Sequence, residues 1–132
     1  MMLAAIFAIS ATLNICDRCG HVFLAHTQPL DRPAIVEATR TAYHRRCVNL
    51  TDSDRRAFVR IVRKESSFDP NMENPTSTSS TLNGFLDSTW QSTGIDKTDC
   101  IVCQLEAMSI YIENRYGSPS RALRFHDKNG WY

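Results

Sequence analysis

An amphipathic stretch that stops abruptly constrains the fold of this chain more than any other sequence feature. Apolar side chains within residues 58–62 recur at spacings that place them on one side of a helix. Thr51, with Asp54 three residues later, is typical of a capping box at a helix start, and Pro70 forces the chain out of a helix. The pattern therefore predicts a helix over residues 52–67.

Glu65 occupies the last turn of this predicted helix. It follows Val62 and Ile61 by three and four residues, so we expect its side chain on or beside the buried face. A carboxyl group removed from water favours its neutral form, which prepares it to donate a proton. The same pattern also fits a last-turn glutamate paired with Arg60 or Lys64.

The second half of the chain predicts further helices. Asp87 can cap a short helix through Thr93, a longer helix is expected over residues 99–116, and Ser118 with Pro119 begins the last one. Residues 71–81, rich in Ser, Thr and Asn, are typical of a loop. A chain of 132 residues holds one domain with a small appendage, and the fold class is mainly α.

Two cysteine-containing motifs in the first 50 residues predict the appendage. Cys16 and Cys19 form a Cys-x-x-Cys pair, and His44 and Cys47 can complete a tetrahedral zinc site. The pattern over residues 16–50 resembles half of a treble-clef zinc finger. An odd total of five cysteines argues against a complete disulfide framework and favours assembly in a reducing cytoplasm.

Other arrangements of the cysteines remain open. Cys100 and Cys103 lie one turn apart at the start of the long predicted helix, where they can join Cys16 and Cys19 in a four-thiolate site or form a disulfide. A local disulfide between Cys16 and Cys19, or ordinary buried thiols, also fit the sequence.

Residues 1–15 form an apolar N-terminal segment. It is shorter than the stretch of about 20 residues that spans a bilayer, and it lacks the basic residues of a signal peptide. A buried segment, a signal or membrane-associating segment and a docking segment for a partner protein all fit. We weight burial or docking above export.

Residues 51–132 contain three motifs in order: Glu65-Ser66-Ser67-Phe68-Asp69-Pro70, Leu82-Asn83-Gly84-Phe85 with Trp90, and the closing residues 116–132. Together they resemble the catalytic domain of soluble lytic transglycosylases, especially the compact versions of bacteriophage virions and tails. The resemblance implies a lysozyme-like helical domain of the goose type. It also implies cleavage of the peptidoglycan bond between N-acetylmuramic acid and N-acetylglucosamine, with formation of a 1,6-anhydro end.

In this resemblance Glu65 is the single catalytic acid and base, and catalysis needs no cofactor. Zinc would be structural only. The residues implied as substrate contacts are Ser66, Leu82, Gly84, Phe85, Phe125 and His126. If Asp69 or Glu73 faced the cleft, ordinary hydrolysis would fit better.

Two positions depart from the family pattern. Thr81 stands where relatives carry a glycine, which alters the loop if a positive φ is required there. Gly84 stands where a glutamine is frequent, and its lack of a side chain removes a glycan contact.

The implied partners are peptidoglycan glycan strands and phage tail or virion proteins that dock the N-terminal region. The 15 Lys and Arg residues nearly balance the 14 Asp and Glu residues, so the charge does not indicate nucleic acid. We expect a virion protein that acts on the periplasm or cell wall, or alternatively an exported bacterial periplasmic protein. Rival hypotheses are a catalytically weak or inactive structural or adaptor component of a phage tail or virion that retains the lysozyme-like fold, and a zinc-finger interaction protein.

Overall fold

The computed structural model describes residues 29–132, and this part of the chain is mainly α-helical. Its helices are α1 (Arg32–Arg45), α2 (Asp52–Ser66), α3 (Asp87–Thr93), α4 (Ile101–Tyr116) and α5 (Pro119–Asn129). Strand-like pairing within these residues is limited to isolated bridges of Ser80 with Glu73 and with Phe85. No helix in this range is long and apolar enough to cross a bilayer. The mainly α class is confirmed.

Local capping explains where these helices begin and end. The Thr51 hydroxyl accepts the Asp54 backbone N–H at 3.1 Å, and the Ser118 hydroxyl accepts that of Arg121 at 3.3 Å. Helix α2 ends at Ser66, and the C-cap residue Ser67 has a left-handed backbone with φ 52°. The predicted second-half helices agree with the structure to within about two residues at each end.

One hydrophobic cluster joins the helices. Helix α2 packs against α1 and α5, and α4 packs against α1, α3 and α5. The fully buried apolar side chains of α2 and α4 include Phe58, Ile61, Val62, Leu105, Met108 and Ile112. Their helical spacing is the reason why both helices could be predicted from the sequence.

Helix α1 belongs to this same cluster. Its Ile35 and Ala42 are fully buried, and the ring of Tyr43 meets that of Phe58 edge to face at a centroid distance of 5.3 Å. The part of the predicted appendage that is described, residues 29–50, therefore packs with residues 51–132 as one unit. The apolar segment and the first cysteine pair lie outside the described residues.

Candidate active site

Glu65 lies in the last turn of α2, at the edge of its buried face. Ile61 and Val62, one turn earlier, are fully buried, whereas the Glu65 side chain is 20% exposed. The carboxyl group is therefore partly removed from water, as the helical spacing predicts.

His126 of α5 is the direct partner of Glu65. Its Nε2 lies 2.5 Å from Glu65 Oε1, and its Nδ1 has no hydrogen-bond partner among residues 29–132. The packing of α5 against α2 brings together two residues that are 61 positions apart. Either Nε2–H donates to the carboxylate, or the protonated carboxyl group donates to an unprotonated Nε2. The contact is thus compatible with both protonation states of Glu65.

Burial raises the pKa of Glu65 above its ordinary value. The hydrogen bond with His126, the charge of His126 and the charge of Lys64 act in the opposite direction without cancelling the effect of burial. A carboxylic acid with a raised pKa keeps its proton closer to neutral pH. Glu65 is therefore suited to donate a proton to a bound substrate.

Gly84 borders the second oxygen of Glu65. A Cβ atom built on Gly84 would lie 2.8 Å from Glu65 Oε2, and the backbone of Gly84 is left-handed with φ 64°. Both the close approach and the backbone conformation require glycine. A glutamine at this position would collide with Glu65 in this arrangement.

Thr81 has a positive φ, a backbone conformation that favours glycine. Its φ is 68°, and its side chain is buried. The hydroxyl lies 2.8 Å from Asn83 Oδ1, and the backbone N–H donates to the Met72 carbonyl at 2.8 Å. These contacts hold a threonine in a conformation that costs a non-glycine residue roughly 1–2 kcal/mol.

Asn83 and Gln104 fix the turn that carries Gly84 against α4. Both side chains are almost fully buried. Gln104 Oε1 accepts the Leu82 N–H at 3.1 Å, while Asn83 Nδ2 donates to the Gln104 carbonyl at 3.1 Å. We did not predict Gln104 as part of the site, although a polar residue within the apolar stripe of α4 was an available signal.

Tyr132 closes the site on the side of α5. Its hydroxyl donates to the Asn83 carbonyl at 2.7 Å, and its ring stacks on that of His126 at a centroid distance of 6.2 Å. Burial, chiefly, and the charge of Glu65 raise the pKa of Tyr132 well above its usual range. Tyr132 thus stays a neutral hydrogen-bond donor and links the turn to His126.

Three of the predicted substrate-contacting side chains point into the protein. Leu82 and Phe85 are buried in the hydrophobic cluster, and the Ser66 hydroxyl donates to the Val62 carbonyl at 3.0 Å. Any contact that Leu82 or Phe85 makes with a glycan would therefore use the backbone. Phe125 remains half-buried.

The two alternative carboxylates lie in the loop between α2 and α3. Asp69 Oδ1 accepts the Asn71 backbone N–H at 2.9 Å, which is typical of an Asx turn. Glu73 is exposed and forms a backbone bridge with Ser80. The arrangement gives Glu65 the stronger position for proton transfer.

The predicted zinc ligands lie only partly within the described residues. His44 and Cys47 are both exposed at the end of α1, and the Cys47 N–H donates to the His44 carbonyl at 2.9 Å. Cys16 and Cys19 lie outside the described residues, so the four-ligand site stays a prediction. Residues 29–132 by themselves contain no group of three or more potential ligands.

Cys100 and Cys103 are joined by a disulfide at the start of α4. Of the arrangements that the sequence leaves open for this pair, the structure has the disulfide. Sulfur atoms joined in this way are not thiolates, so the alternative four-thiolate site with Cys16 and Cys19 would require reduction. A disulfide also differs from the reduced thiols expected for a reducing cytoplasm.

The site therefore consists of one partly buried carboxyl group held between a histidine and a glycine turn. Such a group can give a proton to a leaving oxygen and later accept one from a nucleophile. Comparison with known proteins identifies no family for this chain. The sequence matches no family model, and neither a curated protein nor a solved structure matches it.

Proposed function

We propose that this chain is a peptidoglycan lytic transglycosylase. It cleaves the β-1,4 bond between N-acetylmuramic acid and N-acetylglucosamine and leaves a 1,6-anhydro end. The observation that carries the proposal is the Glu65 carboxyl group, which is partly buried, bonded to His126 and bordered by Gly84. Burial favours its acid form and His126 favours its carboxylate, so both forms needed in such a reaction are supported.

Glu65 first donates its proton to the glycosidic oxygen as the bond to the anomeric carbon breaks. The C6 hydroxyl of the same muramic acid then attacks the anomeric carbon, and the Glu65 carboxylate accepts the hydroxyl proton. The nucleophile is already held within the substrate, so the reaction needs neither a nucleophilic water nor a second carboxylate. It also needs no cofactor.

His126 acts as a positioning residue in this mechanism. It holds Oε1 of Glu65, which leaves Oε2, on the side of Gly84, as the oxygen that exchanges a proton with the glycan. Tyr132 and Asn83 fix His126 and the turn relative to each other. The pair is thereby held in one geometry before the substrate binds.

The proposed setting is a phage particle. The N-terminal region of this chain docks to tail or virion proteins, and the enzyme opens the cell wall locally. An exported bacterial periplasmic enzyme is the alternative setting. Both come from the family resemblance of residues 51–132 and share the same chemistry at Glu65.

A catalytically inactive adaptor is the second candidate function. It is favoured by a groove of about 860 Å³ that is lined by cations rather than by Glu65. In that function the groove, and not the carboxyl group, would be the working surface.

The deciding experiment is mass spectrometry of purified peptidoglycan digested by the wild type, by Glu65→Gln and by Glu37→Gln. Glu37 is exposed on α1 and serves as a matched control. We expect anhydromuropeptides from the wild type and the control but not from Glu65→Gln. Reducing-end products would instead indicate a hydrolase, and absence of products from folded wild type would favour the adaptor.

A further inference from the structure

A cationic groove runs beside α2, between this helix and α5. Its volume is about 860 Å³, and its lining residues come from α1, α2, α5 and the turn after α2. The basic residues that line it are Arg32, Arg56, Arg60, Arg63, Lys64 and Arg124. Among the described residues no carboxylate belongs to the lining.

Little negative charge on the protein offsets these cations. Lys64 pairs with Asp127 at 3.2 Å, and Arg124 acts on the nearby carboxylate of Asp54. The other four groove arginines pair with no carboxylate in residues 29–132. Residues 1–28 contain one acidic residue, Asp17, which is followed by Arg18.

The cations of α2 repeat along the groove. Arg56, Arg60 and Arg63 follow each other by four and three residues, which places them on successive helical turns about 5–6 Å apart. Their side chains are exposed, and a guanidinium group binds phosphate or carboxylate with two parallel hydrogen bonds. A line of such groups in an extended groove fits a linear polyanion better than a small anion.

The shape and lining of the groove disfavour nucleic acid as this polyanion. Single-stranded nucleic acid is bound by aromatic side chains on which the bases stack, and Phe68 is the one aromatic residue of the lining. Sequence-specific reading of duplex DNA requires an element that enters its grooves, whereas these cations line a concave surface. A charged chain without bases fits the described lining better.

We propose that the groove binds a phosphodiester-linked polyol chain of the cell wall, of the poly(glycerol phosphate) type. The choice of a wall polymer rests on the proposed function. Helices α2 and α5 carry both the groove and the Glu65–His126 pair, but Glu65 does not line the groove. A polymer bound there would therefore hold the enzyme on the wall without entering the site. The groove would then act as the wall-docking surface of the enzyme.

The test is titration calorimetry of the full chain with purified poly(glycerol phosphate). We expect binding that weakens with added salt, and about tenfold weaker binding for the double variant Arg60→Gln/Arg63→Gln. The matched control Arg121→Gln/Lys128→Gln removes the same charge from α5 outside the groove and should bind as the wild type does. Glu65→Gln should also bind as the wild type does.

Equal weakening by both double variants would overturn the proposal, as would absence of binding. Tighter binding of oligothymidylate or polyglutamate would overturn the choice of a phosphodiester wall polymer. The proposed function is tested separately. Polymer binding without release of anhydromuropeptides would contradict the proposed enzymatic activity but support the binding surface. Release of these products without polymer binding would contradict the proposed polymer-binding groove but support the enzymatic activity.

Discussion

At Glu65, the raised pKa makes the stability of the fold depend on pH. The folded protein holds this proton more tightly than the unfolded chain, so this group contributes stability that is present below its unfolded pKa and is lost as pH rises through the folded pKa. We expect Glu65→Gln to match the wild type in unfolding temperature at acidic pH and to exceed it by a few degrees at neutral pH. Thermal unfolding across pH checks this.

The exposed Glu37, with a side chain 73% exposed, is the control for this stability measurement. Glu37→Gln should show no comparable change with pH. A wild type more stable than Glu65→Gln at neutral pH would show that the His126 contact outweighs burial.

The contact with His126 makes a second prediction about the same carboxyl group. His126→Phe keeps the site filled but removes both the hydrogen bond and the charge that lower the pKa of Glu65, so this pKa should rise. His126→Gln keeps a hydrogen-bond donor and should raise it less. Carbon-13 NMR titration of the glutamate carboxyl groups measures both variants without relying on activity. Equal pKa values in all three proteins would contradict the assigned role of His126.

Gly84 offers a test of geometry in the site. Gly84→Ala places a methyl group 2.8 Å from Glu65 Oε2 and strains a backbone with φ 64°. We expect activity to fall by about 100-fold because the carboxyl group must move, and the free energy of unfolding to fall by about 1–2 kcal/mol. Peptidoglycan digestion and urea unfolding measure the two effects.

Substitution of Gly94 is the control that separates backbone strain from displacement of the Glu65 carboxyl group. Gly94 also has a left-handed backbone, with φ 72°, but an added Cβ meets no atom within 4 Å. Gly94→Ala should therefore lose a similar free energy of unfolding and keep its activity. If both variants lost activity equally, the position of Gly84 beside Glu65 would not explain the loss.

Sequence spacing could place Glu65 at the edge of a buried helix face because the residues that determine that face are its own neighbours in the chain. It could not pair Glu65 with His126, since that contact depends on how α5 packs against α2 across 61 residues. The role of Tyr132 has the same long-range origin, because its hydroxyl donates to a carbonyl 49 residues away.

At the scale of elements, the turn over residues 81–85 depends on one buried amide of α4. Gln104→Leu would leave the Leu82 N–H and the Thr98 carbonyl without their partner. We expect a loss of about 2–4 kcal/mol in the free energy of unfolding, with lower activity as the turn loosens. Met108→Leu, on the same buried face, is a volume-conserving control that should cost less than about 1.5 kcal/mol. Urea unfolding of both variants measures the difference.

An equal loss from both substitutions would mean that packing, and not the amide, holds the turn. The boundaries of the helices needed no such contact, since caps such as Thr51 and Ser118 act within one helical turn. The shape of the turn was not predictable in this way, because its positive φ at Thr81 is maintained by contacts with Asn83 and Met72.

At the scale of the molecule, a boundary between appendage and domain was predicted at residue 50. Two cysteine motifs precede this position, and the family resemblance begins after it. The packing of α1 could not be predicted from the sequence, because its apolar pattern is weaker than that of α2. In the structure α1 contacts both α2 and α4, and its buried side chains fill part of the shared core.

The packing of α1 in the shared core predicts that a core substitution in α1 destabilises the whole domain. Ile35 is fully buried in the core, so Ile35→Ala should lower the free energy of unfolding of the whole domain by about 2–5 kcal/mol. Val36, the next residue, is only partly buried, and Val36→Ala should cost clearly less. The two variants should be compared by urea unfolding followed through tryptophan fluorescence, to which Trp90, buried near α4, and the half-exposed Trp131 both contribute. A single transition that shifts with Ile35→Ala would show that α1 unfolds together with residues 51–132, whereas an unchanged fluorescence transition would indicate an independent appendage.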